Sequence, residues 1–517
     1  MDSIPRRYFS KLLQVTVAFS TAYVRVGIIT RTLGPATYGN FGFLQTMFEN
    51  LMNFFNLNTS DAFFNYTSRH DRYRAVVLWY AKFAAGIFIV LALVVLGLQA
   101  TGWLAAVLPD QQFKYIILGA MLGYAMWSQK IIVGFGDARV LTVPVQKRLI
   151  IINLIATSFL LLLFYLKVLT LLTVFAYHIT TITVIDIVLI SYYRRKGYRP
   201  TSQKGKDTTT NGDISRYFIR YSSPLVVLSV LSLIYLAFDR WFLQLIAGSV
   251  EQGYFTISQR VSMVSLLFTT SMIPIWFREL SHAHERADFE RMQALFKRFT
   301  RMLYFFTAII VVFLIFHAGL VIRLLAGEKF AGALVPVMIM SAYPLHQTYG
   351  QLNNSLYLAT ERTRTLATLQ TIIMVFGLPI TYLLLAPRDM GIIGGYQLAS
   401  TGLAIKFVFM QFIYTNILLW TNCRFLNVRF FPYILHQFGI VILLAAMLFS
   451  VTHISVLFLE PVSLTEQLVK AAIDGLLYCG LTAGTLIAFP TLIGVTRGEI
   501  LGVLAKLRRG TNPAGGE

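Results

Sequence analysis

Fourteen apolar segments, each roughly long enough to cross a bilayer, set the first limit on how this chain can fold. They lie near residues 11–33, 40–64, 75–98, 113–135, 148–166, 170–192, 217–246, 252–277, 300–324, 332–358, 365–386, 392–419, 433–455 and 468–494. Barrel strands are excluded, because they alternate polar and apolar residues. Runs such as Phe88-Ile-Val-Leu-Ala-Leu-Val-Val-Leu96 do not. A spanning helix needs about 20 apolar residues. Composition agrees: 56% of the 517 residues are hydrophobic and 13% charged, about half the ~25% charge of a soluble domain. The expected class is an all-α polytopic membrane protein with about 14 transmembrane helices.

Within these segments a short pattern occurs twice. Gly34-Pro-Ala-Thr-Tyr-Gly39-Asn-Phe41 and Gly248-Ser-Val-Glu-Gln-Gly253-Tyr-Phe255 both read G-x-x-x-x-G-x-F, 214 positions apart. Each copy joins one apolar segment to the next. A duplicated bundle suits transport, since two similar halves can rock around one central site. A polar, basic stretch, Arg194 to Asp213, follows the sixth segment and reads as a linker. Six is even, so the two halves are expected to be parallel repeats. The expected division is an N-lobe over 1–195, a cytoplasmic linker over 196–215, a C-lobe over 216–420, and two extra C-terminal helices with a cytoplasmic tail over 421–517.

The formal net charge of +21 would suggest nucleic acid in a soluble protein. Here its placement gives another reason. Of 44 Lys and Arg, 31 fall at the N-terminus, the even-numbered turns and the tail, and 7 fall on the opposite side. Cations resist translocation, so both termini are expected in the cytoplasm, with no nucleic-acid partner. Arg6 and Arg7 read as a basic anchor for the first helix rather than a cleavable export signal. Trp276 to Arg298 has helical periodicity and reads as an amphipathic helix on the cytoplasmic face. Pro224, Pro274, Pro336, Pro344 and Pro379 lie inside segments and are candidate kinks. The helix ends at Gly134–Arg139 and Leu358–Arg364 resemble one another. Cys423 and Cys479 are not expected to pair.

The remaining six cations lie within segments: Arg25, Lys82, Lys130, Arg240, Arg260 and Lys406. Acids do so too, among them Glu49, Asp186, Asp239 and Asp474. A central charge costs about 2.5–3.5 kcal/mol on insertion scales, so these groups must pair, snorkel or face water. Lys82 and Lys130 lie near helix ends and can snorkel. Arg25, Arg240, Arg260 and Lys406 are deeper and are the candidate anion binders, since a guanidinium forks onto phosphate. Shifting Arg25 by 214 positions gives Asp239, beside Arg240. Asp239 either neutralises Arg240 or serves the site. Glu49 balances Arg25 or carries a coupling H+ or Na+. No H-E-x-x-H, Walker loop, metal spacing or extramembrane domain points to an enzyme, and no other cofactor is expected.

Arg25, the run Arg31-Thr-Leu-Gly-Pro-Ala-Thr-Tyr-Gly-Asn-Phe41, Asp239-Arg240 before Gly248-x4-Gly253, and Leu325-Ala-Gly-Glu-Lys-Phe-Ala-Gly332 together resemble the Wzx-type polysaccharide and O-antigen flippases. That family belongs to the multidrug/oligosaccharidyl-lipid/polysaccharide exporter superfamily. The resemblance implies alternating-access movement of undecaprenyl-pyrophosphate-linked oligosaccharide across the bacterial inner membrane for surface polysaccharide such as lipopolysaccharide O-antigen. It implies two six-helix lobes in a V, with the pair over 433–494 bordering a lipid-tail path. Expected partners are the lipid-linked oligosaccharide, membrane lipids and a polysaccharide polymerase complex. The alternatives are a lipid II flippase, a cation-coupled multidrug exporter of the same fold, and a membrane polymerase or ligase. The last is disfavoured by the short outer turns.

Overall fold

The computed structural model describes residues 4–69, 73–198, 211–223, 226–391, 393–458, 463–495 and 498. Pro224, most of the predicted linker and the tail cations Arg497, Lys506, Arg508 and Arg509 lie outside the described residues. The described chain is helical, without strands: α1 (Ile4–Asn56), α2 (Thr59–Arg69), α3 (Arg74–Ala100), α4 (Leu104–Val107), α5 (Phe113–Ala138), α6 (Thr142–Tyr165), α7 (Leu171–Arg195), α8 (Asn211–Ser222), α9 (Val226–Ser262), α10 (Leu267–Glu285), α11 (Phe289–Phe316), α12 (Ala318–Leu325), α13 (Leu334–Ser341), α14 (Tyr343–Ala359), α15 (Thr363–Leu385), α16 (Ala399–Phe425), α17 (Phe431–Val456) and α18 (Leu464–Ala488). This is the all-α, multi-pass plan that the apolar segments predict.

Eleven helices among the described residues are long and apolar enough to cross a membrane, where the sequence places fourteen segments. Helices α1 and α9 account for two of the difference, each running from one predicted segment into the next as one continuous element broken at a glycine. The third is 332–358, which divides at Ala342 into the short α13 and α14. Pro344 lacks the N–H that would continue the helix and its ring crowds the carbonyl four residues back, so it sits in the first turn of α14.

The chain forms two compact units. The first comprises Met1–Thr256, Arg323–Gly332 and Met374–Leu403, and the second Ile257–Ile322, Ala333–Ile373 and Ala404–Glu517. In the first, α1 packs on α5, α6 and α7. Gly119 and Gly123 lie one turn apart on α5, and a Cβ on either would stand 2.8–3.0 Å from Phe48. Small residues at this spacing let membrane helices approach closely. The predicted segment 217–246 is not one element. Its first residues belong to α8, where Phe218 stacks on Trp79 at 4.5 Å and Ser215 accepts from the indole N–H at 2.9 Å.

In the second unit, Trp276, Phe296, Tyr304, Tyr349 and Tyr478 are buried together. The expected amphipathic helix over 276–298 is corrected here. Helix α10 ends at Glu285, Ala287 adopts φ 52°, and Asp288 caps α11 by accepting from the Arg291 N–H at 2.9 Å. Trp276, Leu280, Met292 and Phe296 on either side of that turn are wholly buried. Thr269, Thr307 and Thr348 meet as a buried triangle of hydroxyls, 3.1–3.2 Å apart.

Asp474 gains partners that its sequence context does not reveal. Its Oδ2 accepts from Lys470 Nζ at 3.0 Å and lies 3.3 Å from His317 Nε2. Lys470 also donates to Ser455 Oγ at 2.8 Å, tying α18 to α17. Removing one member of a buried ion pair costs about 3–5 kcal/mol. Asp474→Ala is expected to lower stability by about that amount in detergent unfolding, and Lys470→Met with Asp474→Leu to recover most of it. An Asp474→Ala protein as stable as the parent would show that the cluster contributes nothing to the fold.

Candidate functional site

The repeated turn is a repeated backbone break. Gly34 sits at φ 71°, ψ 175° and Gly248 at φ 75°, ψ −173°, a region essentially confined to glycine. The second glycine of each copy has another use. A Cβ on Gly39 would fall 1.8 Å from the Ser249 carbonyl oxygen, and one on Gly253 would fall 2.2 Å from the Pro35 carbonyl oxygen. Pro35 and Ser249 are themselves related by the 214-residue shift. So are Gly42 and Thr256, which touch, with a Gly42 Cβ placed 2.7 Å from Thr256 Oγ1. Each copy therefore grips the other through the same surface, as in an isologous two-fold interface.

The motif at 325–332 packs beside the break in α1. Phe330 is wholly buried, with its ring edge-on to Tyr38 at 6.1 Å and Tyr254 at 6.3 Å, one from each copy. Arg31 donates to the carbonyls of Arg323 at 3.1 Å and Leu324 at 2.7 Å, and Thr30 donates to that of Leu325 at 2.9 Å. A guanidinium here meets the C-terminal carbonyls of α12 and opposes the negative end of its dipole. Asn40 links the copies again, accepting from Ser249 Oγ at 2.5 Å and from Gln111 at 2.7 Å. The two helix ends paired by sequence also share a device. Val140 and Glu361 both have positive φ. Arg139 lies 4.2 Å over Tyr73, and Arg362 lies 3.9 Å over Phe425.

The site residues predicted from sequence divide between the units. Arg25, Glu49, Asp239 and Arg240 belong to the first, Arg260 and Lys406 to the second. Arg25 is half-buried. It donates from Nε to the Thr21 carbonyl at 3.3 Å and from Nη2 to Asn153 Oδ1 at 3.2 Å. Both partners are neutral, as is Tyr177, which Arg25 also approaches. The buried hydroxyl of Tyr177 is within reach of Arg25 and Thr181. An anion would be met here by a guanidinium, a phenol and a carboxamide.

Arg240 has different surroundings. It is buried and donates to Gln252 Oε1 at 3.0 Å and Thr256 Oγ1 at 3.1 Å, with its charge 4.6 Å from the centre of the Phe255 ring. Gln252 and Phe255 belong to the second copy of the repeat, and Thr256 directly follows it. Asp239 is buried and accepts from Thr381 Oγ1 at 2.6 Å. Lys406 is wholly buried, with Nζ 5.0 Å from the Phe407 ring centre. Arg260 and Glu49 are exposed on their helices.

The first unit also holds a polar cavity of about 260 Å³. It is lined by Asn50, Asn53, Phe54, Asn56, Asn58, Asp61 and Lys130, facing Leu228, Ser229, Ser232, Leu233 and Leu236 of α9. Asn56 is structural. Its Oδ1 accepts from the Ser60 N–H at 3.1 Å and the Trp127 indole at 3.2 Å, and its Nδ2 donates to Ser60 Oγ at 3.0 Å. It thereby caps α2 and holds the break at Leu57 (φ 42°) and Asn58 (φ 59°). The signal for this cavity lay in the sequence: four asparagines in nine residues, 50 to 58, within an apolar segment.

A family model described as polysaccharide biosynthesis protein matches residues 7–277. No curated protein matches the sequence. Among solved structures, lipid II flippase MurJ in an inward closed conformation superposes with TM-score 0.67 at 14% identity, covering 93% of this chain and 99% of that one. An inward-facing multidrug resistance MATE family transporter of the MOP superfamily gives TM-score 0.58 at 13% identity, covering 80% and 98%. A MOP superfamily transporter from Pyrococcus furiosus gives 0.54 at 13% identity, covering 81% and 95%. At such identities the likeness establishes the fold.

Proposed function

The chain belongs to the polysaccharide biosynthesis protein family, and from that premise we propose that it is a flippase for an undecaprenyl-pyrophosphate-linked oligosaccharide. It would move the precursor across the bacterial inner membrane by alternating access, with both termini cytoplasmic, for assembly of O-antigen or another surface polysaccharide. The observation that carries the reading is Arg25, a guanidinium within a membrane-spanning helix whose partners are all neutral. A permanent charge held at that depth is costly, and a transiting pyrophosphate would offset that cost only when cargo is present. Arg240, Arg260 and Lys406 are the further cations of the set, while Glu49 and Asp239 balance charge or couple to an ion. A dinegative headgroup needs a protein route; its polyprenyl tail does not.

The test is deletion in the native host. Surface polysaccharide is expected to disappear while its lipid-linked precursor accumulates on the cytoplasmic leaflet, with cells remaining viable. Lethality with accumulated lipid II would replace this cargo with the cell-wall precursor. Unchanged surface polysaccharide and unchanged precursor would overturn the proposal.

A further inference from the structure

We propose that the asparagine-lined cavity of the first unit binds one sugar ring of the cargo, so that the protein reads the glycan as well as the pyrophosphate. The inference rests on the flippase reading above. The side chains of Asn50, Asn53, Asn58, Asp61 and Lys130 line one space, and none makes a hydrogen bond or ion pair with a described residue. Each carboxamide offers two donors and an acceptor, and the carboxylate accepts from two hydroxyls. That mixture suits vicinal hydroxyls. A phosphate site would gather cations and exclude Asp61, and a metal site would need more than one carboxylate. No group of three or more His, Cys, Asp or Glu that could hold a metal occurs among the described residues.

The walls agree with a sugar. Phe54 and the leucines of α9 supply apolar surface for the C–H face of a ring. At about 260 Å³ the cavity lies below the ~300–1,000 Å³ of drug-sized sites, which limits it to a small occupant. Two consecutive left-handed residues, Leu57 and Asn58, present Asn58 to the cavity. Such strain persists only where surrounding structure enforces it and clusters at ligand sites. Here Asn56 enforces it through four neighbouring groups, Thr59, Ser60, Tyr80 and Trp127.

The experiment uses the full chain in lipid nanodiscs and two probes: the lipid-linked oligosaccharide extracted from cells lacking this protein, and bare undecaprenyl pyrophosphate. The parent is expected to bind the glycan-bearing lipid about tenfold more tightly, the worth of one or two net hydrogen bonds. Asn53→Ala and Asp61→Ala are each expected to bring that affinity down to the bare-lipid value without changing the bare-lipid affinity. Asn53 is exposed on its helix, so its replacement spares the packing and carries the test should Asp61→Ala fold poorly. Equal binding of the two lipids by the parent overturns the proposal. So do variants that match the parent on the glycan-bearing lipid or weaken both lipids alike. If the parent binds neither lipid, the flippase reading falls first and this inference falls with it.

Discussion

Gly39→Val is expected to prevent the protein from reaching its folded state. The Cβ alone would lie 1.8 Å from the Ser249 carbonyl oxygen, 2.7 Å from the Gly253 nitrogen and 2.9 Å from the Ser249 carbonyl carbon. These are backbone atoms of the matching turn and cannot rotate aside as a side chain would. Ordinary overpacking costs about 1–3 kcal/mol because neighbours relax. Here relaxation means separating the two turns, together with the Asn40–Ser249 hydrogen bond and the Tyr38–Phe330–Tyr254 stack. The cost should exceed about 4–5 kcal/mol, the exceptional end for a single change, against a total stability on the order of 5–15 kcal/mol. Gly253→Val should behave the same, since its Cβ meets Pro35. Gly34→Ala and Gly248→Ala should cost less, about 1–3 kcal/mol, because they meet only conformational strain. Gly86, in the middle of α3 with open space around it, is the control. Gly86→Ala should be neutral or stabilising by up to about 1 kcal/mol. Size-exclusion profiles and melting temperatures in detergent give the ranking. A Gly39→Val protein that elutes and melts like the parent would show that the two turns do not meet.

That ranking marks where the sequence could be read and where it could not. Apolar length alone gives the helices, and the shift of 214 residues gives the paired turns. The pattern G-x-x-x-x-G-x-F does not say that its first glycine is there for a dihedral angle and its second for a contact. Only the fold separates these needs. Matching Arg25 to Asp239–Arg240 by the same shift is correct in sequence, yet their neighbours differ. Arg25 points among neutral groups of α6 and α7, while Arg240 is clasped by Gln252, Thr256 and Phe255 of its own turn. Periodicity fails over 276–298 for a definite reason. Helices α10 and α11 bury the same kind of residue on both sides of the turn, so the apolar period runs through the break. The only local signals are the Asp288 cap and the left-handed Ala287. The asparagine cavity escapes for another reason: carboxamides are uncharged, and a search for embedded charge does not see them. Lys130, read as a snorkelling cation, is the one charged residue of that search which reached the cavity wall.

Arg25→Ala is expected to reduce surface polysaccharide by one to three orders of magnitude while leaving folded protein at parental levels. The two halves of that expectation have separate grounds. Function suffers because, under the flippase reading, the guanidinium meets a phosphate through charge-assisted hydrogen bonds, each worth about 1.5–3 kcal/mol. Two such bonds, partly offset by water, account for the range at about 1.4 kcal/mol per tenfold. The fold survives because Arg25 satisfies no buried charge. Its partners are the Thr21 carbonyl, already the acceptor of a helix position, and the Asn153 amide, which also donates to the Leu149 carbonyl at 2.8 Å. Arg25→Lys keeps the charge but loses the planar fork, and should retain a minor part of the output. Tyr177→Phe removes only the hydroxyl beside Arg25 and should cost about tenfold or less, one hydrogen bond to a charged group. Polysaccharide at the cell surface, with membrane protein quantified in parallel, reads all three. Output from Arg25→Ala within about twofold of the parent, a difference of roughly 0.4 kcal/mol, would remove this cation from the transport path. The cost of keeping an unneutralised guanidinium at that depth would then have no functional return.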